Sequence, residues 1–330
     1  MPILSIIRAT GLAIALLAAG LSLAPALAQT TDFPNKPIRV IVTFPPGGST
    51  DAVMRLIQPR VTERLGQPLV IDNRPGAGGN IGLGIVAQSP GDGYTIGVGA
   101  AGALAVNPSL YAKMPFDPLK DLKPVAMLAA IPFVLVGQPG LPATTLKELI
   151  AYAKANPGTL TIAHGGNGTA MHLSAALFGQ LSGAPLTQVP YKGSGPAALG
   201  VLAGNVSLAI VDLPAGLPQI QAGKLIAYAV TSPQRLPALP GVPTMAEAGV
   251  PGYDSTGWFG VVAPASTATP VLAILHDAIN AALEEDPVRV SIRKLGVEPV
   301  AESREAFDAY IRSETQKWGE LVKSTGIKLD

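Results

Sequence analysis

The chain of 330 residues contains no cysteine. It therefore has neither a disulfide nor a thiolate nucleophile, and no Cys-type metal site can form. Charged residues make up only 14% of the chain and aromatic residues 5%, and the formal net charge is +1. This balance gives no basic surface for nucleic acid or for anionic lipid. We expect no metal, no cofactor and no nucleic-acid partner.

Residues 1–28 have the three parts of an export signal. A single charged residue, Arg8, precedes an apolar run at 11–24, and a small-residue A-x-A sequence ends at Ala28. The apolar run is shorter than the roughly 20 residues that a membrane-spanning helix needs. The sequence thus predicts a signal peptide cleaved after Ala28, a mature chain that begins at Gln29, and a periplasmic location. The alternative is an uncleaved membrane anchor.

Short apolar runs alternate with amphipathic stretches through the rest of the chain, which is typical of an α/β fold. Strands are predicted at residues 38–44, 69–72, 94–98, 133–136, 160–163, around Val189, and at 206–211, 225–231 and 258–263. Helices are predicted at residues 51–65, 145–155, 170–181, 196–202, 270–283 and 304–323. The Gly/Pro-rich turns between these segments favour mostly parallel sheets.

The two C-terminal helices need a sheet to cover, whereas the first three strands have few helices of their own. We therefore expect the chain to leave a first lobe near Ile131 and to return to it near Ser255. Lobe 1 is then residues 29–131 with 255–330, and lobe 2 is residues 132–254. Two crossings of this kind make a hinge.

The first candidate site is the loop between the first strand and the first helix. Glycines allow close backbone approach, and a helix start provides unpaired N–H donors and partial positive charge. This combination suits a carboxylate or a phosphate. The alternative is an ordinary turn in which Ser49 or Thr50 caps the helix. The candidate ligand-binding residues are Phe44, Gly47, Gly48, Ser49, Thr50 and Asp51.

A second loop of the same kind follows the strand at 160–163, and the two loops together indicate a cleft that holds an anion at both ends. Its candidate residues are Gly165, Gly166, Asn167, Gly168 and Thr169. The sequence His164-Gly165-Gly166 also resembles the oxyanion loop of lipases, so an exported hydrolase is an alternative. No Gly-x-Ser-x-Gly sequence exists in the chain, which argues against an enzyme.

Four further residues could lie at the cleft. Gly97 to Gly102 match a dinucleotide fingerprint, but Pro108 and Pro115 prevent the long helix that should follow, so we interpret Ala101 as a residue of the cleft rim. Tyr191 could line the cleft or pack in the core, and Arg74 could meet an acid or lie in a solvated loop. Asp212 could cap a helix or accept a hydrogen bond from a ligand.

Beyond these residues, the chain resembles the Bug receptors, which are the periplasmic substrate-binding proteins of tripartite tricarboxylate transporters. The resemblance covers essentially the whole mature chain. It is carried by Phe33-Pro34-Asn35-Lys36-Pro37-Ile38-Arg39, Phe44-Pro45-Pro46-Gly47-Gly48-Ser49-Thr50-Asp51, Asp72-Asn73-Arg74-Pro75-Gly76-Ala77-Gly78-Gly79-Asn80, Gly91-Asp92-Gly93-Tyr94, Gly166-Asn167-Gly168-Thr169-x-x-His172-Leu173, Val189-Pro190-Tyr191-Lys192-Gly193 and Val242-Pro243-Thr244-x-x-Glu247-x-Gly249.

The resemblance implies a two-lobed periplasmic binding protein of type II, with the Venus flytrap architecture, that is not an enzyme. It implies a monomer that binds a small carboxylate, a di- or tricarboxylate or an aromatic acid, and delivers it to the large and small subunits of a permease. A receptor coupled to a membrane sensor is the alternative. The family often has Asn after the aspartate that Asp212 matches, whereas Leu213 follows it here.

Overall fold

The structure is a computed structural model that describes residues 32–329. The predicted signal peptide at 1–28 lies outside the described residues. Residues 32–329 contain ten strands: β1 Ile38–Val42, β2 Leu69–Asn73, β3 Thr95–Ala100, β4 Leu122–Gly137, β5 Thr161–His164, β6 Thr187–Pro190, β7 Leu208–Asp212, β8 Ile226–Val230, β9 Thr256–Pro264 and β10 Glu298–Pro299.

The helices alternate with these strands over much of the chain. They are α1 Ser49–Leu65, α2 Asn80–Ala87, α3 Asn107–Leu110, α4 Pro118–Asp121, α5 Leu146–Ala155, α6 Ala170–Ser182, α7 Ser194–Leu202, α8 Leu213–Gln221, α9 Thr269–Glu284, α10 Asp286–Lys294 and α11 Arg304–Thr325. A short π-helix, Gly102–Val106, follows β3. The predicted α/β class is confirmed.

The predicted helix limits rest on local signals that the structure bears out. Helix α1 ends at Gly66, whose φ of 65° is in the left-handed region that glycine adopts without strain. Helix α5 begins at a capping box in which Thr145 and Glu148 bond each other's backbone N–H. These short-range contacts explain why the sequence located both ends well.

The strands form mixed sheets, and in this the structure differs from the mostly parallel sheets predicted. Strand β1 pairs in parallel with β2 and β3, and β5 pairs in parallel with β6 and β7. The long strands β4 and β9 run antiparallel to their neighbours. The prediction missed this because the segment before Pro132 was not interpreted as strand.

Strand β4 changes partners within its length. Its residues up to Pro132 pair with β9, whereas those from Phe133 onward pair with β7 and β8. Phe133 lies in register with Asp212, and Pro132 lies in register with Thr256. The lobe boundaries stay a prediction, and this change of partners supports a crossing near Ile131.

The C-terminal helices α9 and α11 pack on strand β4. Helix α11 lies against β4, and its Phe307 meets the ring of Trp258 from β9 edge to face, at 5.8 Å between centroids. Glu314 of α11 accepts hydrogen bonds from the indole N–H groups of Trp258 and Trp318, at 3.0 and 2.8 Å. The buried carboxylate thus ties the helix to the sheet.

None of the helices in residues 32–329 combines the length and the apolar character that a membrane span requires.

Candidate functional site

A cavity of about 360 Å³ lies where four helices begin. Its lining includes the first residues of α1, α6, α7 and α8. Each helix start adds partial positive charge and unpaired N–H groups. The residues that line it are Phe44, Pro45, Pro46, Gly47, Gly48, Ser49, Thr50, Ala100, Ala101, Gly102, Ile131, Phe133, Thr169, Ala170, Met171, Lys192, Gly193, Ser194, Gly195, Pro196, Asp212, Pro214, Ala215, Gly257, Trp258 and Phe259.

The first predicted loop contributes five of its six candidates to this cavity. Gly48 precedes α1 in extended conformation, and no side chain of the described residues caps the helix. The predicted alternative, a cap by Ser49 or Thr50, is therefore wrong. Because a helix leaves its first N–H groups without internal partners, the start of α1 can donate to a bound anion.

Asp51 is the candidate of this loop that does not line the cavity. Its carboxylate accepts hydrogen bonds from the Gly47 N–H, from Arg55 and from Asn73, at 3.0, 2.8 and 2.9 Å. Burial alone would raise the pKa of Asp51, but these bonds together hold it below its usual value. Asp51 positions the loop and does not face the cavity.

The second predicted loop contributes only Thr169. The N–H of Gly166 donates to Nδ1 of His164 at 3.2 Å, and that of Gly168 points to Nδ1 of His172 at 3.5 Å. The N–H groups expected to hold an anion thus turn into the protein. Gly165, Gly166, Asn167 and Gly168 do not line the cavity. Sequence reasoning could not see this because the imidazole contacts depend on the folded ring positions.

His164 and His172 form a buried pair with ring centroids 4.7 Å apart. Burial, and then the neighbouring His172, lower the pKa of His164 to about 3. Burial lowers the pKa of His172 to about 4. Both rings are therefore neutral at pH 7 and accept N–H groups of the loop. His164 does not line the cavity, and so it cannot serve the hydrolase alternative there.

The third helix start was not among the predicted site residues. Gly193 precedes α7 with a φ of 113°, and no side chain in the part of the chain that the structure describes caps it. Ser194, Gly195 and Pro196 line the cavity. The signal was present in the sequence, because this segment is another glycine-containing loop between a strand and a helix.

Asp212 lies at the fourth helix start and is hydrogen-bonded to the first. Its Oδ1 accepts a hydrogen bond from the Ala215 N–H at 3.1 Å, which caps α8, and its Oδ2 accepts one from the Ser49 hydroxyl at 2.7 Å. The predicted alternative of a helix cap is confirmed. Burial raises the pKa of Asp212 above its usual value, although the hydrogen bonds from Ser49, Ser194 and the Ala215 N–H offset part of that effect.

Aromatic side chains form the apolar part of the cavity wall. Phe44, Phe133, Trp258 and Phe259 line it. Tyr191 does not, because its ring packs against α7, where a Cβ added to Gly200 would lie 2.4 Å from the Tyr191 Oη. This contact favours the alternative of core packing for Tyr191.

Among the described residues that line the cavity, the charged side chains are Lys192 and Asp212. Lys192 is exposed and belongs to the turn between β6 and α7. Arg74 does not line the cavity, and its guanidinium pairs with Asp72 at 2.9 Å. The site therefore resembles a dipole-based anion site more than an arginine clamp: oriented N–H groups and hydroxyls meet an apolar pocket.

Comparison with known proteins places the chain among receptors of this architecture. The tripartite tricarboxylate transporter family receptor matches residues 53–327. Protein BugT of Bordetella pertussis is 41% identical over 307 residues, which cover 93% of this chain and 94% of BugT.

Two solved structures of similar fold contain carboxylates. R. palustris Rpa4515 with adipate is 39% identical, has a TM-score of 0.86, and is matched over 90% of this chain and 99% of its own. MatC of Rhodopseudomonas palustris with bound malate is 33% identical, has a TM-score of 0.83, and is matched over 88% of this chain and all of its own. These likenesses confirm the two-lobed type II fold and the interpretation as a receptor, not an enzyme. The chain belongs to the tripartite tricarboxylate transporter receptor family.

Proposed function

We propose that the chain captures a small carboxylate in the cavity and delivers it to a tripartite tricarboxylate-type transporter with a large and a small permease subunit. The observation that carries this proposal is the convergence of four helix starts on one cavity, two of them, α1 and α7, without a side-chain cap among the described residues. Oriented N–H groups at such starts stabilise negative charge without a counter-ion.

The proposed contacts of the ligand carboxylate are the N–H groups of Ser49 and Thr50 and the hydroxyl of Thr169. The Thr169 hydroxyl donates its one proton to the Gly166 carbonyl in the structure, so it turns from that carbonyl to donate to the ligand. The apolar wall takes the body of the acid, and a cavity of about 360 Å³ accommodates a molecule the size of a short dicarboxylate or a single-ring acid. Adipate and malate in the related receptors support a ligand of this kind.

The proposal also includes compartment and architecture. We propose export through the signal at residues 1–28, and action as a monomer in the periplasm. We further propose lobe 1 at 29–131 with 255–330 and lobe 2 at 132–254, with ligand binding at their boundary. Support comes from strand β4, which changes partners between Pro132 and Phe133, and from the BugD relative, a periplasmic binding protein that is 34% identical.

Binding is tested most simply through tryptophan fluorescence. The chain has 2 tryptophans, of which Trp258 lines the cavity and Trp318 does not. In Trp318→Phe, a bound acid should change the emission of Trp258 with saturation; in Trp258→Phe, the remaining emission should stay unchanged. The panel is succinate, malate, aspartate, adipate, citrate, nicotinate and benzoate. The absence of any saturating change, together with no rise in melting temperature, would contradict the proposal.

Delivery requires a test in cells. Deletion of the gene for this chain should abolish cellular uptake of the acid that the chain binds, and expression of the wild-type chain should restore that uptake. A chain with Thr169→Ala should restore it less well at low acid concentration. Uptake that is unaffected by loss of the chain would separate binding from delivery and would contradict the second half of the proposal.

A further inference from the structure

Asp212 is a buried carboxylate that lines the cavity proposed to hold an acid. Its side chain is only 6% exposed, and it lies at the end of β7 beside Phe133 of β4. The partners of its two oxygens are neutral donors: the Ala215 N–H and the hydroxyls of Ser49 and Ser194. No ion pair within residues 32–329 includes Asp212.

The charged and titratable groups on the surrounding elements do not neutralise this carboxylate. Asp51 of α1 is directed to Arg55 and Asn73, and His164 at the end of β5 is stacked on His172. Lys192, from the turn before α7, lines the same cavity but is exposed to solvent. On β4, α7 and α8, the neighbours of Asp212 are Phe133, Ser194 and Ala215, which do not titrate.

An acid that enters this cavity brings a second negative charge close to Asp212. Two carboxylates in a site with little water do not both stay ionised without a proton or another donor between them. A carboxylate can accept about four hydrogen bonds, which is more than the three that Ser49, Ser194 and Ala215 donate to Asp212. The cavity is therefore lined both by N–H donors, at the helix starts, and by a hydrogen-bond acceptor, the Asp212 carboxylate.

We propose that Asp212 selects the acid by requiring a hydrogen-bond donor from it. That donor is either a hydroxyl or amino group of the ligand, or a proton taken up together with a second carboxyl group. This inference rests on the proposed function. It predicts that the ligand is a hydroxy or amino acid, or a dicarboxylic acid that binds with one proton.

The test compares the wild-type chain with Asp212→Asn and uses succinate, malate, aspartate, adipate and benzoate as probes. Asparagine is isosteric and caps helices well, so the start of α8 is retained. Asp277→Asn, an exposed position on α9, removes one charge elsewhere and serves as the control. Calorimetry at pH 8 and pH 6, in two buffers of different ionisation enthalpy, gives affinity and the number of protons bound.

Two outcomes support the proposal. If the ligand supplies the donor, malate or aspartate binds the wild type at least about tenfold more tightly than succinate at pH 8, and Asp212→Asn brings the ratio close to one. If a proton supplies it, succinate or adipate binds with uptake of about one proton and gains affinity toward pH 6, and Asp212→Asn loses both effects. Asp277→Asn behaves as the wild type in each case.

Two outcomes overturn it. An acid without a donor that binds the wild type tightly, with no proton uptake, contradicts the selection by Asp212, and this result needs no variant. Equal donor preference and equal proton uptake in the wild type and Asp212→Asn do the same. If no acid binds the wild type at either pH, the proposed function itself fails, and the inference falls with it.

Discussion

The hydroxyl of Ser49 donates a 2.7 Å hydrogen bond to the carboxylate of Asp212, although 163 positions separate them in the chain. Ser49 is the first residue of α1, which follows β1, whereas Asp212 is the last residue of β7. The bond thus joins two of the helix starts that line the cavity. It is a direct link between the parts that we assign to different lobes.

Removing this hydroxyl should destabilise the protein. In Ser49→Ala the buried carboxylate of Asp212 loses one of its donors, and we expect the free energy of unfolding to fall by about 1–3 kcal/mol. Urea unfolding measures the change. Ser313→Ala, whose exposed hydroxyl donates to the Tyr310 carbonyl of its own helix, is the matched control and should change little. An equal decrease in the free energy of unfolding in the two variants would show that the hydrogen bond from Ser49 to Asp212 does not contribute to stability.

The histidine pair predicts a pH dependence of stability. Both pKa values fall on folding, to about 3 for His164 and about 4 for His172, so the unfolded chain binds more protons below the ordinary histidine pKa. Stability that is present above about pH 6.5 is therefore lost as pH falls, by up to about 1.4 kcal/mol per pH unit for each histidine. Urea unfolding from pH 7.5 to 4.5 should show a smaller slope in His172→Gln than in the wild type. His276→Gln, outside the pair, is the control; an unchanged slope in His172→Gln would contradict the assignment.

Asp212 should contribute to the pH dependence with the opposite sign. Folding raises the pKa of Asp212, so the folded chain takes up this proton at a higher pH than the unfolded chain does. The destabilisation caused by the buried charge therefore decreases as pH falls through the folded pKa toward the unfolded value. We expect the wild type to gain stability relative to Asp212→Asn as pH decreases from 7 to 4. Paired urea unfolding curves measure this difference. A difference that is constant over this range would show that Asp212 is ionised throughout.

Gly102, the first residue of the π-helix, packs so closely on the backbone at Gly168 and Gly78 that it cannot accept a side chain. A Cβ at Gly102 would lie 2.3 Å from the carbonyl oxygen of Gly168 and 3.1 Å from that of Gly78. Gly102→Ala should therefore force these segments apart, at about 1–3 kcal/mol in the free energy of unfolding. In Gly241→Ala the new Cβ has no atom within 4 Å, so this variant is the control. Equal stability of the two variants would mean that the segments at Gly78 and Gly168 can move away from residue 102 without a loss in the free energy of unfolding.

Thr169 should affect both stability and ligand affinity. Its hydroxyl donates to the Gly166 carbonyl at 2.7 Å and accepts from the His172 N–H, which caps α6. Thr169→Ala should cost about 1 kcal/mol of stability through the lost cap, and it should weaken binding of the acid that the fluorescence panel identifies. Thr169→Ser keeps the hydroxyl and should restore both. Unchanged affinity in Thr169→Ala would remove Thr169 from the proposed site.

The sequence predicted the elements whose signals are local. Strand β1 and helix α1 appear as an apolar run and an amphipathic repeat, and Gly66 marks the end of the helix. Strand β4 escaped prediction over its first half because Pro124 and Pro132 interrupt an otherwise apolar run. Helix α2 escaped because Gly82 and Gly84 are typical of a loop, whereas here they allow close packing against β1 and Pro115.

The candidate site was predicted in position but not in detail. The position of the loop before α1 could be predicted because its conformation depends on residues nearby in the chain, such as Asp51, which accepts a hydrogen bond from the Gly47 N–H. The direction of the Gly166 and Gly168 N–H groups depends on His164 and His172, and no spacing rule reveals ring orientation. Trp258 and Phe259 reach the cavity from a strand that follows Asp212 by more than forty positions, which only the folded sheet makes visible.

The central claim is that the helix starts around this cavity hold a carboxylate. A crystal structure of the chain with the acid that produces the largest fluorescence change tests it most directly. We predict one carboxylate group of that acid within hydrogen-bond distance of the Ser49 and Thr50 N–H groups, with its body against Phe133 and Trp258. An acid bound outside this cavity, or held by the Arg74 guanidinium, would contradict the claim.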